Sequence, residues 1–144
     1  MRFTESVSVC FKKYFVFEGR ASRSEYWWFQ LIVTPSFVLS EITESESATI
    51  SYLFLAITLF TFIPAVAAGV RRLHDTNRSG FYLLISFIPF IGGLIVLFFL
   101  IPEGTKGKNR YGADPIVRKK IAKKRKKIIK KKIALHFSNI NTAN

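Results

Sequence analysis

Apolar residues are concentrated in three stretches of the 144-residue chain, at 26–40, 50–70 and 81–101, and none of the three contains a charged residue. At about 1.5 Å per residue, a helix over 50–70 would be about 31 Å long, which matches the hydrocarbon core of a bilayer. The first stretch would reach only about 22 Å, so it spans only if Glu25 and Glu41 lie at the interfaces or the bilayer thins locally. The pattern predicts an all-α integral membrane protein with about three hydrophobic segments.

The third stretch is interrupted at its centre by Pro89 and by the pair Gly92 and Gly93. Proline and glycine both weaken the interior of a helix. Two interpretations remain open. By its length, the stretch can cross the membrane as a full span. Alternatively it turns back near its centre as a re-entrant hairpin, which requires protein or water to cover the turn.

Upstream of the first span, residues 6–17 place Val7, Phe11, Tyr14 and Phe15 at helical spacing on one face. A segment this short and charged does not span, so it predicts an N-terminal interfacial helix on the bilayer surface.

The first span has recognisable start signals. Ser22 stands three residues before Glu25, which is the spacing of a capping box. Tyr26, Trp27 and Trp28 follow directly and indicate the headgroup level, where amphipathic rings are favoured.

The charge distribution indicates an orientation. Mean hydropathy is +0.24 although the net charge is +13, and residues 41–49 hold three glutamates and no basic residue. Basic residues lie before the first span and in the decapeptide RRLHDTNRSG at 71–80. Because positive charge is retained inside, both regions are predicted to be cytoplasmic and 41–49 external. A full third span would put fourteen lysines and arginines outside, so the charges favour the hairpin.

Residues 116–144 form a lysine-rich segment with scattered isoleucines, outside the helical membrane domain at 1–115. We expect this cytoplasmic tail to adhere to anionic phospholipid headgroups, since basic residues near such a surface each contribute about 1 kcal/mol. A solvated, disordered tail is the second interpretation. Nucleic acid is not expected as a partner, because no aromatic residues are interleaved with the lysines and no recognisable motif supports it.

Three ordered motifs, FEGRASRSEYWWF, RRLHDTNRSGFYLLISFIPFIGG and GTKGKNRYGADP, give the chain a specific resemblance. Over roughly residues 10–115 it resembles the YhaH-like family of small bacterial inner-membrane proteins, a domain of unknown function. The resemblance implies a helical domain in the bacterial inner membrane and no established activity. Asn77 departs from the pattern, since a glycine is frequent there in similar chains, and the tail lies outside it.

Charged residues around the spans are the candidates for an interface or ligand site. By the predicted topology most of them lie at one membrane face, and arginine forks there suit phosphate or carboxylate. The set is Arg20, Arg23, Glu25, Arg71, Arg72, His74, Asp75 and Arg78, to which the resemblance adds Asn109 and Arg110.

A structural role is favoured for this set, because two intact spans return the chain to the side that it left. We expect Glu25 to face Arg71 or Arg72. Asp75 should face Arg20 or Arg23, although a pair between Arg71 and Asp75, four residues apart on one helix, is also possible.

The sequence offers no catalytic constellation. His74 and Asp75 are adjacent and do not present their side chains to each other on a helix. The single cysteine, Cys10, excludes an internal disulfide, and two histidines make no metal cluster. We therefore expect no cofactor and no enzyme, but a multi-pass membrane protein that binds lipid or a membrane partner, or forms a homo-oligomer. A small oligomeric transporter or channel-like subunit is the alternative.

Overall fold

The structure is a computed structural model that describes residues 1–44 and 47–142. Its elements are α1 (Phe3–Lys12), α2 (Arg23–Ile42), α3 (Ala48–Asp75), a 3₁₀ helix (Gly80–Phe87), α4 (Gly92–Leu100) and α5 (Pro115–Thr142). The described residues contain no β-strand, only an isolated bridge between Asn109 and Gly112. The prediction of an all-helical chain is confirmed.

Helices α2 and α3 form the central antiparallel pair. The Ser51 hydroxyl donates to the Ser40 carbonyl at 2.8 Å at one end, and the Ala21 N–H donates to the Arg71 carbonyl at 2.9 Å at the other. Phe29 is buried in the core of this bundle. Both helices extend beyond the predicted segments 26–40 and 50–70.

The predicted connections are correspondingly shorter. Arg71 to Asp75 belong to the last turns of α3, which continues beyond the predicted span 50–70. Helix α2 continues through Glu41 into the segment 41–49, and Ser45 and Glu46 of that segment lie outside the described residues.

A left-handed residue ends α3. Asn77 has φ +60°, a conformation that glycine adopts freely and asparagine more readily than most residues. This explains the departure noted in the sequence, because either residue type satisfies the same turn.

Helix α1 differs from the predicted interfacial helix in its bounds and its surroundings. It ends at Lys12, so Tyr14 and Phe15 lie beyond it. Its face is covered by the bundle: Cys10 is buried, and the Phe11 ring contacts those of Phe29 and Phe60 at 5.6 and 5.5 Å between centroids. The chain turns after Lys12 because the carbonyls that follow are bound by a buried arginine of α3, described below.

The third apolar stretch is not a single helix over 81–101. The 3₁₀ helix and α4 are separated by a break that contains Pro89 and Phe90, and Phe90 has φ +64°. A Cβ atom on Gly92 would lie 2.0 Å from the Ile85 carbonyl oxygen, so the two short helices approach each other closely. Beyond α4, the chain returns to the end of α3 that it left, since Thr105 N–H donates to the Asp75 carbonyl at 2.8 Å.

Among the described residues, Ala48–Asp75 is the one helix that is long and apolar enough to cross a membrane. The other two predicted spans are not confirmed by this criterion, and a single such helix also occurs in soluble cores. Large apolar side chains are nevertheless exposed along α2 and α3, among them Leu31, Phe37, Leu53 and Leu59. Contiguous exposed apolar surface of this kind is typical of contact with a membrane or partner.

Helix α5 begins where Asp114 caps it. The Ile116 N–H donates to Asp114 Oδ1 at 2.8 Å, and this hydrogen bond lowers the pKa of the carboxyl group. Pro115, the first residue of α5, is buried, and the other described side chains of α5, apolar and basic alike, are exposed.

Candidate functional site

We call the rim the cluster of buried charged residues formed by Arg20, Glu25, Arg71, Arg72 and Asp75. Asp75, the last residue of α3, lies at its centre. Its Oδ1 accepts from Arg20 Nε at 2.9 Å and its Oδ2 accepts from Arg72 Nη1 at 2.5 Å. Gly104 lies against the carboxylate so closely that a Cβ atom there would be 2.0 Å from Oδ2. One carboxylate thus joins the segment before α2, the end of α3 and the chain after α4.

Arg72 ties the end of the third apolar stretch to α3. Its Nε donates to the Leu100 carbonyl at 3.0 Å and its Nη2 donates to that of Pro102. Both carbonyls stand at or beyond the C-terminal end of α4, where helical partners run out. The buried guanidinium therefore fixes the return of the chain.

Arg20 makes the same kind of contact with the following turn. Besides Asp75, its donors reach the carbonyls of Thr105, Gly107 and Gly112. The side chain is buried, so these carbonyls and one carboxylate are its surroundings.

Arg71 faces the opposite side of the rim, towards α1 and α2. Its Nη2 lies 3.4 Å from Glu25 Oε1, and its Nη1 donates to the carbonyls of Lys13 and Val16. Both charged side chains are buried. Lys13 Nζ and Lys119 Nζ approach the Glu25 carboxylate at 3.9 and 3.6 Å, so the first turns of α5 also reach the rim.

His74 is held between main chain and an aromatic ring. Its Nδ1 lies 3.1 Å from the Gly19 carbonyl, which only accepts, so Nδ1 carries the proton. The imidazole stacks on Tyr111 with ring centroids 3.8 Å apart and planes 3° from parallel. Asn109 Nδ2 donates to the His74 carbonyl at 2.8 Å.

The remaining arginines lie at the outer edge of the rim. Arg23 is exposed and pairs with Glu103 at 2.6 Å. Arg78 lies over the Phe99 ring at 4.6 Å, and Arg110 over the Tyr111 ring at 4.7 Å. Among the described residues, no carboxylate lies within 4.0 Å of either Arg78 or Arg110.

The structure brings both expected ion pairs together: Glu25 faces Arg71, and Asp75 faces Arg20. The alternative pair of Arg71 with Asp75 is wrong, because Asp75 takes Arg72, three residues away, while Arg71 turns to Glu25. The capping box is half formed. Ser22 accepts from the Glu25 N–H at 3.4 Å, whereas the Glu25 carboxylate is occupied by cations.

Tyr111, Thr105 and Glu103 were not among the sequence candidates. Tyr111 was detectable in principle, since it is the only aromatic residue between Ile101 and His136 and lies in a turn-rich segment. Thr105 contributes mainly through its backbone, and nothing in its local sequence indicates that role.

The geometry separates the arginines by what they can do chemically. Arg20, Arg71 and Arg72 are buried, and their hydrogen-bonded donors are directed to carbonyls and carboxylates of the protein itself, so these three arginines join segments of the chain. Arg71 Nε is a buried donor without a hydrogen-bond partner among the described residues. The outer arginines, Arg23, Arg78 and Arg110, are accessible to an anion. A buried guanidinium without an opposite charge costs several kcal/mol, which is why the inner arginines need the carboxylates of Glu25 and Asp75.

Known proteins resemble this chain over most of its length. Residues 14–113 match the family described as "Protein of unknown function (DUF805)". The inner membrane protein YhaI of Escherichia coli (strain K12) is 47% identical over 105 residues, covering 72% of this chain and 89% of YhaI. The inner membrane protein YhaH of the same strain is 40% identical over 109 residues, covering 72% of this chain and 90% of YhaH. No solved structure matches significantly.

An apolar α3 with a charged rim at one end, together with these relatives, defines a small helical protein of the bacterial inner membrane. The chain belongs to the DUF805 family, whose function is unknown.

Proposed function

We propose that the protein is a non-enzymatic, multi-pass inner-membrane protein that binds anionic phospholipid at its cytoplasmic face. The binding surface consists of Arg78 and Arg110, at the outer edge of the rim, and of helix α5. The buried arginines are its scaffold and take no part in binding.

The charge of α5 is the observation that carries this proposal. Residues 116–144 hold eleven lysines and arginines and no acidic residue. On a helical projection, Val117, Ile121, Ile128 and Leu135 fall on one side at spacings of four, seven and seven residues. A basic helix with an apolar stripe is suited to lie in the interface of an anionic bilayer, where lysine stems can reach outward to the headgroups.

The position of the hairpin supports a cytoplasmic location for α5. The chain leaves α3 at Asp75 and comes back to it at Thr105, so the third apolar stretch both starts and ends at the rim. Phe90, at its tip, is 98% exposed, which suits a tip immersed in hydrocarbon. With the rim inside, all twenty-two basic residues of the chain stand on the cytoplasmic side or within its interface.

No observation favours the transporter alternative. The threonines in the apolar part of α3 are occupied locally, since Thr58 donates to the Phe54 carbonyl at 3.0 Å and Thr61 to that of Ile57 at 2.8 Å. Polar groups of an ion or proton pathway would instead face a cavity.

Native mass spectrometry of the detergent-solubilised protein tests the proposal. The full chain, supplied with equal amounts of phosphatidylglycerol and phosphatidylcholine, is expected to retain mainly the anionic lipid. A variant with Lys126, Lys127, Lys130 and Lys131 changed to Gln should retain fewer copies, because each lysine contributes to attraction by the anionic surface.

The control replaces four exposed polar residues away from the rim and from α5. Its lipid count should equal that of the unmodified chain. Equal retention of the neutral and anionic lipids, or an unchanged count in the lysine variant, would contradict the proposal.

A further inference from the structure

We propose that a groove between α3 and the 3₁₀ helix binds one anionic phospholipid, with an acyl chain in the groove and the phosphate at Arg78 and Arg110. This inference rests on the proposed function for the class of ligand, and it adds a defined site that is separate from α5.

The groove has an apolar interior of suitable size. Its volume is about 370 Å³, and its walls include Phe17, Val66, Val70, Leu83 and Leu84. Ligand pockets in proteins commonly have volumes of about 300–1,000 Å³ and mostly apolar walls.

Glycines hold the two sides of the groove in place. A Cβ atom on Gly80 would lie 2.7 Å from Val70 Cγ1, and one on Gly69 would lie 3.3 Å from Leu83 Cδ1. The 3₁₀ helix therefore sits directly on α3, and the space beside this contact is a fixed feature of the backbone packing.

The groove has one polar end. His74, Ser79 and Tyr111 line it at the rim, whereas Val66 lies eight residues, or about 12 Å, further along α3 towards the middle of the apolar span. His74 Nδ1 is occupied by Gly19, and Nε2 has no hydrogen bond among the described residues. A long apolar chain with a polar head matches this gradient.

The charges beside the polar end select the head. Neither arginine lines the groove itself: Arg78 precedes Ser79 and lies over the Phe99 ring, and Arg110 stacks on Tyr111. Arg110 Nη2 also donates to the Asn77 carbonyl at 3.0 Å, which brings Arg110 beside Arg78. No described carboxylate lies within 4.0 Å of either guanidinium, in contrast with the buried arginines of the rim. A phosphate ester would accept from both forks, and a zwitterionic head would bring a competing cation.

The bilayer supplies the occupant. Leu84, on the wall, and Phe81, at the edge, are exposed on the apolar surface that faces lipid in this topology. An apolar groove that opens sideways into hydrocarbon is filled by acyl chains. The contacts of the headgroup with Arg78 and Arg110 therefore decide which phospholipid is preferred.

Photo-crosslinking of the full-length protein tests the site. The probes are phosphatidylglycerol and phosphatidylcholine, each with a diazirine on one acyl chain, in detergent micelles at low and high salt. We expect phosphatidylglycerol to label peptides with Val66, Val70, Leu83 or Leu84 at least several-fold more than phosphatidylcholine does. Val66→Phe fills the groove and should abolish that labelling. Val38→Phe, at an exposed position of α2, is the matched control and should leave it unchanged.

Arg78→Gln with Arg110→Gln should remove the preference for phosphatidylglycerol and keep weak labelling by both probes. Labelling that is spread over the apolar surface and insensitive to Val66→Phe would overturn the site, as would equal labelling by the two probes in the unmodified chain. If the lysine variant retained as much lipid as the unmodified chain, the α5 proposal would fail, but labelling of the groove would be unaffected. Failure of the α5 proposal and failure of the groove proposal are therefore distinguishable.

Discussion

At the scale of single residues, the rim depends on the geometry of the guanidinium group. A planar fork with five donors can satisfy several carbonyls and a carboxylate at once, which a lysine ammonium cannot do in fixed directions. Arg72 uses this property to bind the carbonyls of Leu100, at the end of α4, and of Pro102, and Arg20 uses it to bind carbonyls of the segment that follows. The identity of the charged pairs was predictable from topology, because the ends of α2 and α3 had to meet. The carbonyl partners of the arginines were not predictable, because every residue has a backbone carbonyl and the sequence does not indicate which of them are bound.

Glu25 and Arg71 are expected to be strongly coupled. Glu25→Gln should reduce the free energy of unfolding by about 3–5 kcal/mol, because Arg71 is then buried without its carboxylate. Arg71→Gln should cost less, since Lys13 and Lys119 still approach the Glu25 carboxylate. The double variant should lose less than the sum of the two. Denaturant unfolding in mild detergent measures the cycle.

The matched control is the exposed pair of Arg23 with Glu103. Its coupling should be about 0–1 kcal/mol, as is usual for surface ion pairs. Strictly additive losses at Glu25 and Arg71 would show that the buried pair does not contribute as an ion pair.

Gly104 is expected to be intolerant of any side chain. Gly104→Ala places a methyl group against Asp75 Oδ2, and Asp75 cannot move away because two arginines hold it. Overpacking of this kind costs about 1–3 kcal/mol, which thermal unfolding would detect. Gly93→Ala is the control, since nothing lies within 4 Å of its Cβ position. A Gly104→Ala protein as stable as the unmodified chain would contradict the close contact.

At the scale of elements, the third apolar stretch was the least predictable part. Its length favoured a span, whereas Pro89, Gly92 and Gly93 favoured a turn. Hydropathy alone does not distinguish a span from a hairpin. The decision depends on tertiary contacts, namely the bonds from Arg72 to the carbonyls of Leu100 and Pro102. Helix α1 shows the same limit, because its apolar face could equally have met lipid or protein.

Cysteine labelling in right-side-out vesicles tests the orientation of these elements. In a Cys10→Ser background, a membrane-impermeant maleimide should modify Glu44→Cys from outside and Lys126→Cys only after permeabilisation. Labelling of Lys126→Cys in sealed vesicles would show that the third stretch crosses the membrane.

Cys10 itself should hardly react even in the unmodified chain. Burial, followed by the nearby charge of Glu25, raises the pKa of its thiol to about 11, so very little thiolate exists at neutral pH. This allows the unmodified chain to serve as a low-background reference.

At the scale of the whole molecule, the sequence was sufficient for the helical class and for the family. It could not separate the arginines into inner and outer sets, because exposure depends on how residues 100–112 fold back over α3. We propose that Arg20, Arg71 and Arg72 hold the fold, while Arg78 and Arg110 bind lipid.

The lipid-dependent shift of the unfolding temperature in detergent tests this claim most directly. A ligand that binds only the folded state raises Tm, so phosphatidylglycerol should raise the Tm of the unmodified chain and of Arg23→Gln more than phosphatidylcholine does. Arg78→Gln combined with Arg110→Gln should keep nearly the same Tm without lipid and lose most of the shift. An undiminished shift in this double variant, or a large loss of Tm without lipid, would contradict the division of the arginines.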